Sequence, residues 1–187
     1  MSAERTRWQK IARRIRVPLG FVCAAIFLYV ARPSVITLLA SIPVVGCGLW
    51  LRGYAAGYVK KNAELTQTGP YAHTRNPLYL GSILIAVGFA VAARSWPMAV
   101  VLVAMFLAIY LPTIRSEEEY LRAHFSDFDE YAKRVPRLLP RLTPARTTAT
   151  KGSFSRELYL RHREYNALMG ASAIYAALVA RLLFWPR

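Results

Sequence analysis

The chain has 187 residues, a length that suits one domain or a small membrane bundle. It is 55% hydrophobic and carries a formal net charge of +15, which is unusual for a soluble enzyme and typical of a membrane protein with basic flanks. The basic surplus has no zinc-finger or RNA-recognition signature, so we expect no nucleic-acid partner and expect the anionic headgroups of a lipid bilayer instead. Cys and His residues do not cluster at metal-ligand spacing, so no metal site is predicted.

Five uncharged apolar stretches follow one another along the chain, and a membrane-spanning helix needs roughly 20 such residues. The stretches are residues 17–31, 33–51, 76–93, 95–114 and 165–180. The middle three are long enough, and the first and last would borrow flanking residues. Because no strand signal competes, we predict an all-α fold: an integral membrane helical bundle of about five transmembrane helices, with cytoplasmic catalytic segments.

The same stretches divide the chain into four predicted parts. These are a basic interfacial segment at 1–16, a membrane core with four spans at 17–140, a loose cytoplasmic linker at 141–164 and an additional C-terminal transmembrane helix at 165–187. With all five stretches spanning, 21 of the 25 Lys and Arg residues lie on one side. The positive-inside rule then predicts a cytoplasmic N-terminus and an outside C-terminus, in a bacterial-type inner or plasma membrane.

Local signals predict where the third span begins and where the fourth span bends. Asn76 is a favoured N-cap residue and Pro77 is favoured at the first helical position, so the third span is expected to begin there. Pro112 lies near the end of the fourth span and is expected to kink it.

Small residues predict close helix packing at two places. Gly53 and Gly57 have the Gly-x-x-x-Gly spacing at the end of the second span, which permits close approach of another helix. Ser172, Ala176 and Ala180 lie four residues apart on the last span and form a ridge. That ridge suits packing on a helix of the same chain or on a second copy in a homodimer.

Polar and ionisable residues concentrate at the start of the third span and again after the fourth. Such groups are costly inside a bilayer, so their concentration indicates a functional site. The first block is Gly69-Pro70-Tyr71 followed by Arg75-Asn76-Pro77-Leu78-Tyr79-Leu80-Gly81. The second is Arg115-Ser116-Glu117-Glu118, continuing through Leu121, Phe125 and Tyr131 to Val135-Pro136-Arg137 and Pro140. Together the two blocks resemble the isoprenylcysteine carboxyl methyltransferase family, whose signature related phospholipid methyltransferases share. Asn76 stands where that family usually has His.

The resemblance implies a membrane methyltransferase that binds S-adenosylmethionine without a Rossmann fold. Its acceptor would be amphipathic and lipophilic, either an isoprenylcysteine-type carboxylate or a lipid headgroup. The residues that the resemblance assigns to cofactor binding are Gly69, Tyr71, His73, Arg75, Asn76, Pro77, Tyr79, Glu117 and Glu118. The residues that it assigns to catalysis are Arg115, Glu118 and Arg137, and Arg115 or Arg137 would hold an anionic acceptor.

The resemblance implies a partner for each cofactor group among these residues. Arg75 would clamp the cofactor's carboxylate, helped by the partial positive charge at the N-terminus of the third span. Glu117 or Glu118 would accept hydrogen bonds from its ammonium or ribose hydroxyls. Tyr71 and Tyr79 would lie against its sulfonium or its adenine.

Two other functions stay open at this stage. Membrane reductases of sterol or isoprenoid double bonds share a similar C-terminal helical architecture, and a reductase would bind NADPH. A non-enzymatic lipid-binding or assembly subunit is the other alternative, because Asn76 departs from the family pattern. In that case Arg75 would be a headgroup-snorkelling residue, and Tyr71 and Tyr79 would be interfacial aromatic residues.

Overall fold

The computed structural model describes residues 21–22, 24–60, 64–146 and 152–184. These residues form helices and connecting loops, and no β-strand occurs among them, which confirms the expected all-α class. The predicted basic segment at 1–16 lies outside the described residues.

The helices of the described residues are numbered here in chain order. They are α1 (residues 21–22 and 24–30), α2 (Val35–Ala56), α3 (Pro77–Ala93), α4 (Trp96–His124), α5 (Phe128–Arg134), α6 (Arg156–Arg161) and α7 (Tyr165–Phe184). A short 3₁₀ turn, Gly69–Ala72, precedes α3.

Three helices, α2, α4 and α7, are each long and apolar enough to cross a bilayer. Helix α3 is apolar but has 17 residues, and of α1 the structure describes only residues 21–22 and 24–30. The expected membrane protein is therefore confirmed. The expected count of about five spans is only approximate, because three of the described helices meet the length and hydropathy of a span. Large apolar side chains stay exposed on the three long helices, as contact with lipid requires; examples are Ile36, Leu39, Val103, Leu107, Met169 and Leu183.

Helices α2 and α3 pack closely because glycines line their contact. A Cβ atom on Gly48 would lie 2.7 Å from the carbonyl oxygen of Gly81, and one on Gly88 would lie 2.5 Å from Val45. A side-chain carbon does not fit at such distances, so glycine at these positions allows the two helices to lie this close together.

The predicted pair Gly53 and Gly57 also permits close approach, but not of another span. Gly53 faces the ring of Tyr159 and Gly57 faces the ring of Phe154. Both rings belong to residues 152–164, which we call the C-terminal strap. The strap falls in the predicted loose linker, yet it contains α6 and packs on the C-terminal end of α2.

Helix α7 packs on α2 and α3 through one face. Ala171 and Leu178 are buried there, and the hydroxyl groups of Tyr175 and Ser41 lie 2.8 Å apart. The residues of the predicted small-residue ridge are exposed instead; they are Ser172, Ala176 and Ala180. The ridge is therefore not buried against the other residues that the structure describes, and a homodimer through α7 stays a prediction.

Helix α4 widens into a π-helical turn at Phe106–Tyr110, where the N–H of Leu111 donates to the carbonyl of Phe106. Pro112 follows directly, has no N–H to donate, and its ring crowds the preceding turn. This wide turn lies just before Pro112, the helix continues to His124, and the kink expected at Pro112 stays a prediction.

The chain after α4 folds back over the start of α3. Phe128, Tyr131 and Val135 form a small buried core there. The N–H of Arg75 donates to the carbonyl of Pro136 at 2.9 Å, and the N–H of Arg141 donates to the carbonyl of His73 at 2.9 Å. The second motif block consequently lies against the first.

Candidate functional site

The carboxylate of Glu118 lies at the centre of the contacts between the two blocks. Its Oε1 accepts hydrogen bonds from Arg75 Nε at 2.9 Å and from Asn76 Nδ2 at 3.1 Å. Its Oε2 accepts from Arg137, through Nε at 2.9 Å and Nη2 at 2.8 Å. Donors occupy both oxygens, so Glu118 joins α4 to the start of α3 and to the loop after α5. We call these four residues the Glu118 cluster.

The members of the Glu118 cluster differ in exposure. The side chain of Glu118 is 5% exposed and that of Arg75 is 11% exposed, whereas that of Arg137 is 42% exposed. The cluster contains one carboxylate and two guanidinium groups, so it carries a net positive charge. The N-terminus of α3 adds a partial positive charge from its helix dipole. The open side of the cluster therefore suits an anionic group.

Glu118 lies beyond Ile114, where the apolar part of α4 ends. Burial alone would raise the pKa of its carboxyl, but hydrogen bonds and charge from Arg75 and then Arg137 outweigh burial and hold the pKa below its ordinary value. Glu118 is thus a fixed anion at neutral pH and is unsuited to donate a proton.

Arg75 is held by backbone as well as by Glu118. Its Nη1 donates to the carbonyls of Ala132 at 2.8 Å and Val135 at 2.9 Å. The predicted clamp residue is therefore largely engaged within the protein. The more accessible guanidinium of the site belongs to Arg137.

Asn76 occupies the N-cap position, and α3 begins at Pro77 as predicted. The Asn76 side chain makes no capping hydrogen bond, however. Its Nδ2 donates to Glu118 and to the carbonyl of Arg137, both at 3.1 Å. An amide nitrogen carries two hydrogens and serves both acceptors, whereas a neutral imidazole has only one N–H.

Tyr79 and Glu117 form a second pair between α3 and α4. The Tyr79 hydroxyl donates to Glu117 Oε1 at 2.9 Å, and the Tyr79 ring meets Tyr110 edge to face at 5.9 Å. Glu117 is exposed. This pair places a carboxylate and an aromatic ring beside the Glu118 cluster.

The other predicted residues of the first block shape the turn before α3. Gly69 has a φ of 59°, a left-handed conformation that favours glycine. Tyr71 is buried, and burial, followed by the neighbouring Tyr131, raises the pKa of its phenol. His73 Nδ1 donates to the carbonyl of Arg141 at 2.8 Å, which ties the turn to the second block.

The structure does not bring Arg115 into the cluster. Its side chain is exposed and makes no hydrogen bond or ion pair with any other residue in the described ranges. Sequence reasoning also missed Arg52 and Glu164, which form a two-bonded ion pair with both distances at 3.0 Å. The sequence shows only that Arg52 directly follows the second apolar stretch, which ends at residue 51, and this does not indicate Glu164 as its partner.

Comparison with known proteins identifies relatives of two kinds. The family model described as phospholipid methyltransferase matches residues 34–127. The nickel-cobalt-cadmium resistance protein NccN of Alcaligenes xylosoxydans xylosoxydans is 39% identical over 59% of this chain and 53% of its own length. The cobalt-zinc-cadmium resistance protein CzcN of Cupriavidus metallidurans is 32% identical over 72% of this chain and 66% of its own. The protein-S-isoprenylcysteine O-methyltransferase of Schizosaccharomyces pombe is 26% identical over 65% of this chain and 48% of its own.

The chain spans about half to two thirds of the length of these curated relatives. No solved structure matches it. The family match covers half of the chain and includes α2, α3, α4 and therefore three members of the Glu118 cluster. On this match the chain belongs to the phospholipid methyltransferase family.

Proposed function

We propose that this protein is an integral membrane methyltransferase that uses S-adenosylmethionine to methylate a lipophilic acceptor at the cytoplasmic face of the membrane. Family membership supports methyl transfer, and likeness to an isoprenylcysteine methyltransferase supports a lipophilic acceptor. The Glu118 cluster carries the proposal, because it joins both motif blocks around one buried carboxylate and leaves a cationic side open.

The exposed groups beside the cluster fit the polar parts of the cofactor, which supplies an electrophilic methyl group on its sulfonium. Arg137 would hold the cofactor's carboxylate through the open side of its guanidinium. Glu117 would accept hydrogen bonds from the ammonium or ribose hydroxyls, and Tyr79 would lie against the sulfonium. Arg75 and Glu118, which bind each other, would position Arg137 and the start of α3.

The acceptor decides whether a base is needed. A carboxylate acceptor is already ionised, so its methylation needs alignment and exclusion of water. An ammonium acceptor must first lose a proton, and the exposed Glu117 is placed to receive it. Glu118 is unsuited to that task, because four hydrogen bonds already occupy its oxygens.

The loop after α5 offers a surface for anionic headgroups beside the site. Leu139 is 80% exposed and Leu142 is 99% exposed, and the neighbouring Arg141 and Arg146 are exposed as well. Leucines interspersed with arginines suit insertion at the boundary between headgroups and acyl chains. We therefore propose that the acceptor approaches from the bilayer along this loop.

The charge distribution supports the orientation. The C-terminal end of α2, the start of α3 and the charged end of α4 lie at one end of the bundle, together with the basic strap and the loop after α5. The positive-inside rule puts this end in the cytoplasm, with the N-terminus inside and the C-terminus outside.

Calorimetric titration of the purified protein in nanodiscs with S-adenosylhomocysteine tests the proposed function. We expect the wild type to bind, Glu118→Gln to bind more weakly, and Glu119→Gln to match the wild type, because Glu119 is an exposed neighbour outside the cluster. Absence of heat and of any thermal shift at millimolar ligand would overturn the proposal. Binding of NADPH in its place would favour a reductase.

The names of two relatives supply a second candidate, a role in resistance to nickel, cobalt, zinc or cadmium. Growth of a deletion strain on these metals, complemented with wild type or with Glu118→Gln, tests it. Resistance restored by the wild type alone would join this role to the proposed methyl transfer. Equal resistance with both would instead favour a non-enzymatic role.

A further inference from the structure

The C-terminal strap lies outside the residues that the family model matches, yet it packs against the elements that carry the candidate site. Phe154 stacks on Tyr54 of α2 with ring centroids 6.2 Å apart and an interplanar angle of 10°. His162 Nδ1 donates to the carbonyl of Ala56 at 3.0 Å. Through these contacts the strap covers the C-terminal end of α2.

The strap ends at Glu164, whose carboxylate binds Arg52 of α2. Arg52 Nε donates to Oε2 and Nη2 donates to Oε1, both at 3.0 Å. The two side chains are 24% and 11% exposed. A guanidinium that binds a carboxylate through two parallel hydrogen bonds is held in one orientation.

The remaining nitrogen of Arg52 reaches the first turns of α3. Nη1 donates to the carbonyl of Leu78 at 3.3 Å and to the hydroxyl of Ser82. Leu78 lies between Pro77 and Tyr79, so this contact bears directly on the helical turn that begins at the Glu118 cluster. Glu164 therefore fixes Arg52, and Arg52 fixes the start of α3.

The same ion pair shares an electrostatic environment with the candidate site. Burial is the main cause of the raised pKa of Tyr71; Tyr131, Glu117 and Glu164 raise it further, while Arg52 lowers it. The Tyr71 phenol in the first motif block thus interacts electrostatically with Glu117 of the site and with the ion pair between Arg52 and Glu164.

We propose that Glu164 and Arg52 are positioning residues for the methyl transfer, and that the strap completes the site by holding the first turn of α3 in place. The inference rests on the proposed function. Its physical reason is that one guanidinium bridges three elements through fixed donors, a geometry that a lysine ammonium does not reproduce.

Four variants of the full chain in nanodiscs separate positioning from general stability. Glu164→Gln removes the charge of the ion pair, and Arg52→Lys keeps a cation without the fork of donors. The exchange Arg52→Glu with Glu164→Arg restores an ion pair but moves the guanidinium away from Leu78. Glu157→Gln, on the exposed face of the strap, is the matched control. The readouts are S-adenosylhomocysteine affinity, thermal stability, and hydrogen exchange of a peptide covering residues 77–82.

We expect Glu164→Gln and Arg52→Lys to weaken S-adenosylhomocysteine binding by about 2- to 30-fold and to speed exchange in residues 77–82. The double exchange should recover thermal stability but neither affinity nor exchange protection, and Glu157→Gln should match the wild type. Wild-type exchange in residues 77–82 of both single variants would overturn the inference. A wild type that binds no S-adenosylhomocysteine would overturn the proposed function instead, and hydrogen exchange would still decide the role of the strap.

Discussion

At the scale of single residues, Glu118 is the side chain on which most of the site depends. Glu118→Gln keeps the shape but replaces a carboxylate that faces two guanidinium groups. We expect a loss of about 3 kcal/mol in unfolding free energy, since removing one partner of a buried ion pair leaves uncompensated charge. Thermal unfolding in nanodiscs measures this loss. A Glu118→Gln variant as stable as Glu119→Gln would contradict the structural role.

The lowered pKa of Glu118 predicts a pH dependence of stability. A carboxyl whose pKa is lower in the folded state stabilises the protein fully above its ordinary value of 4.5, and this contribution is lost as pH falls from there through the folded-state pKa. We therefore expect the difference in melting temperature between wild type and Glu118→Gln to be constant between pH 7 and pH 6 and to shrink below about pH 4. A difference that stays constant down to pH 3 would argue against the ion pairs.

Sequence reasoning found the members of the Glu118 cluster but not their arrangement. Arg75, Glu118 and Arg137 stand in recognisable motifs, so their importance is predictable. That the Glu118 carboxylate accepts hydrogen bonds from Arg75 and Arg137 is not predictable, because these contacts depend on how the chain after α4 folds back. The pairing of Arg52 with Glu164 joins residues far apart in sequence, and no local pattern predicts it.

At the scale of elements, the contact between α2 and α3 depends on glycines at particular positions. A Cβ on Gly48 would meet the backbone of Gly81, whereas one on Gly46 would meet no atom within 4 Å. We expect Gly48→Ala to destabilise by about 1–3 kcal/mol through overpacking, and Gly46→Ala to be neutral or stabilising by up to about 1 kcal/mol through helix propensity. Melting temperatures in one lipid composition test this; equal effects of the two substitutions would contradict the packing.

Helix positions were predictable because apolar stretches and proline signals are local. The start of α3 at Pro77 and the irregularity before Pro112 follow from the missing N–H and fixed φ of proline. The partner of Gly53 and Gly57 was not predictable, since a Gly-x-x-x-Gly spacing shows that something approaches closely without showing what. The partner is the strap, a segment whose composition resembles a linker, through the rings of Tyr159 and Phe154.

At the scale of the whole molecule, the orientation in the membrane decides which compartment would supply the proposed cofactor. We expect green fluorescent protein to fluoresce when it is fused after Arg146 and to be dark when it is fused after Arg187. The positive-inside rule puts the first position in the cytoplasm and the second outside. Alkaline phosphatase fusions at the same positions provide the inverse control. Fluorescence at both positions would contradict a spanning α7 with an outside C-terminus.

The methyl transfer itself is tested most directly with S-adenosylmethionine carrying a radiolabelled methyl group, incubated with the protein in nanodiscs and a total lipid extract. We expect label to appear in an organic-soluble product with the wild type and with Glu119→Gln, and to fall to background with Glu118→Gln. No label above background with the wild type, across lipid extracts and prenylated peptides, while S-adenosylhomocysteine also fails to bind, would contradict the assignment of this protein as a membrane methyltransferase.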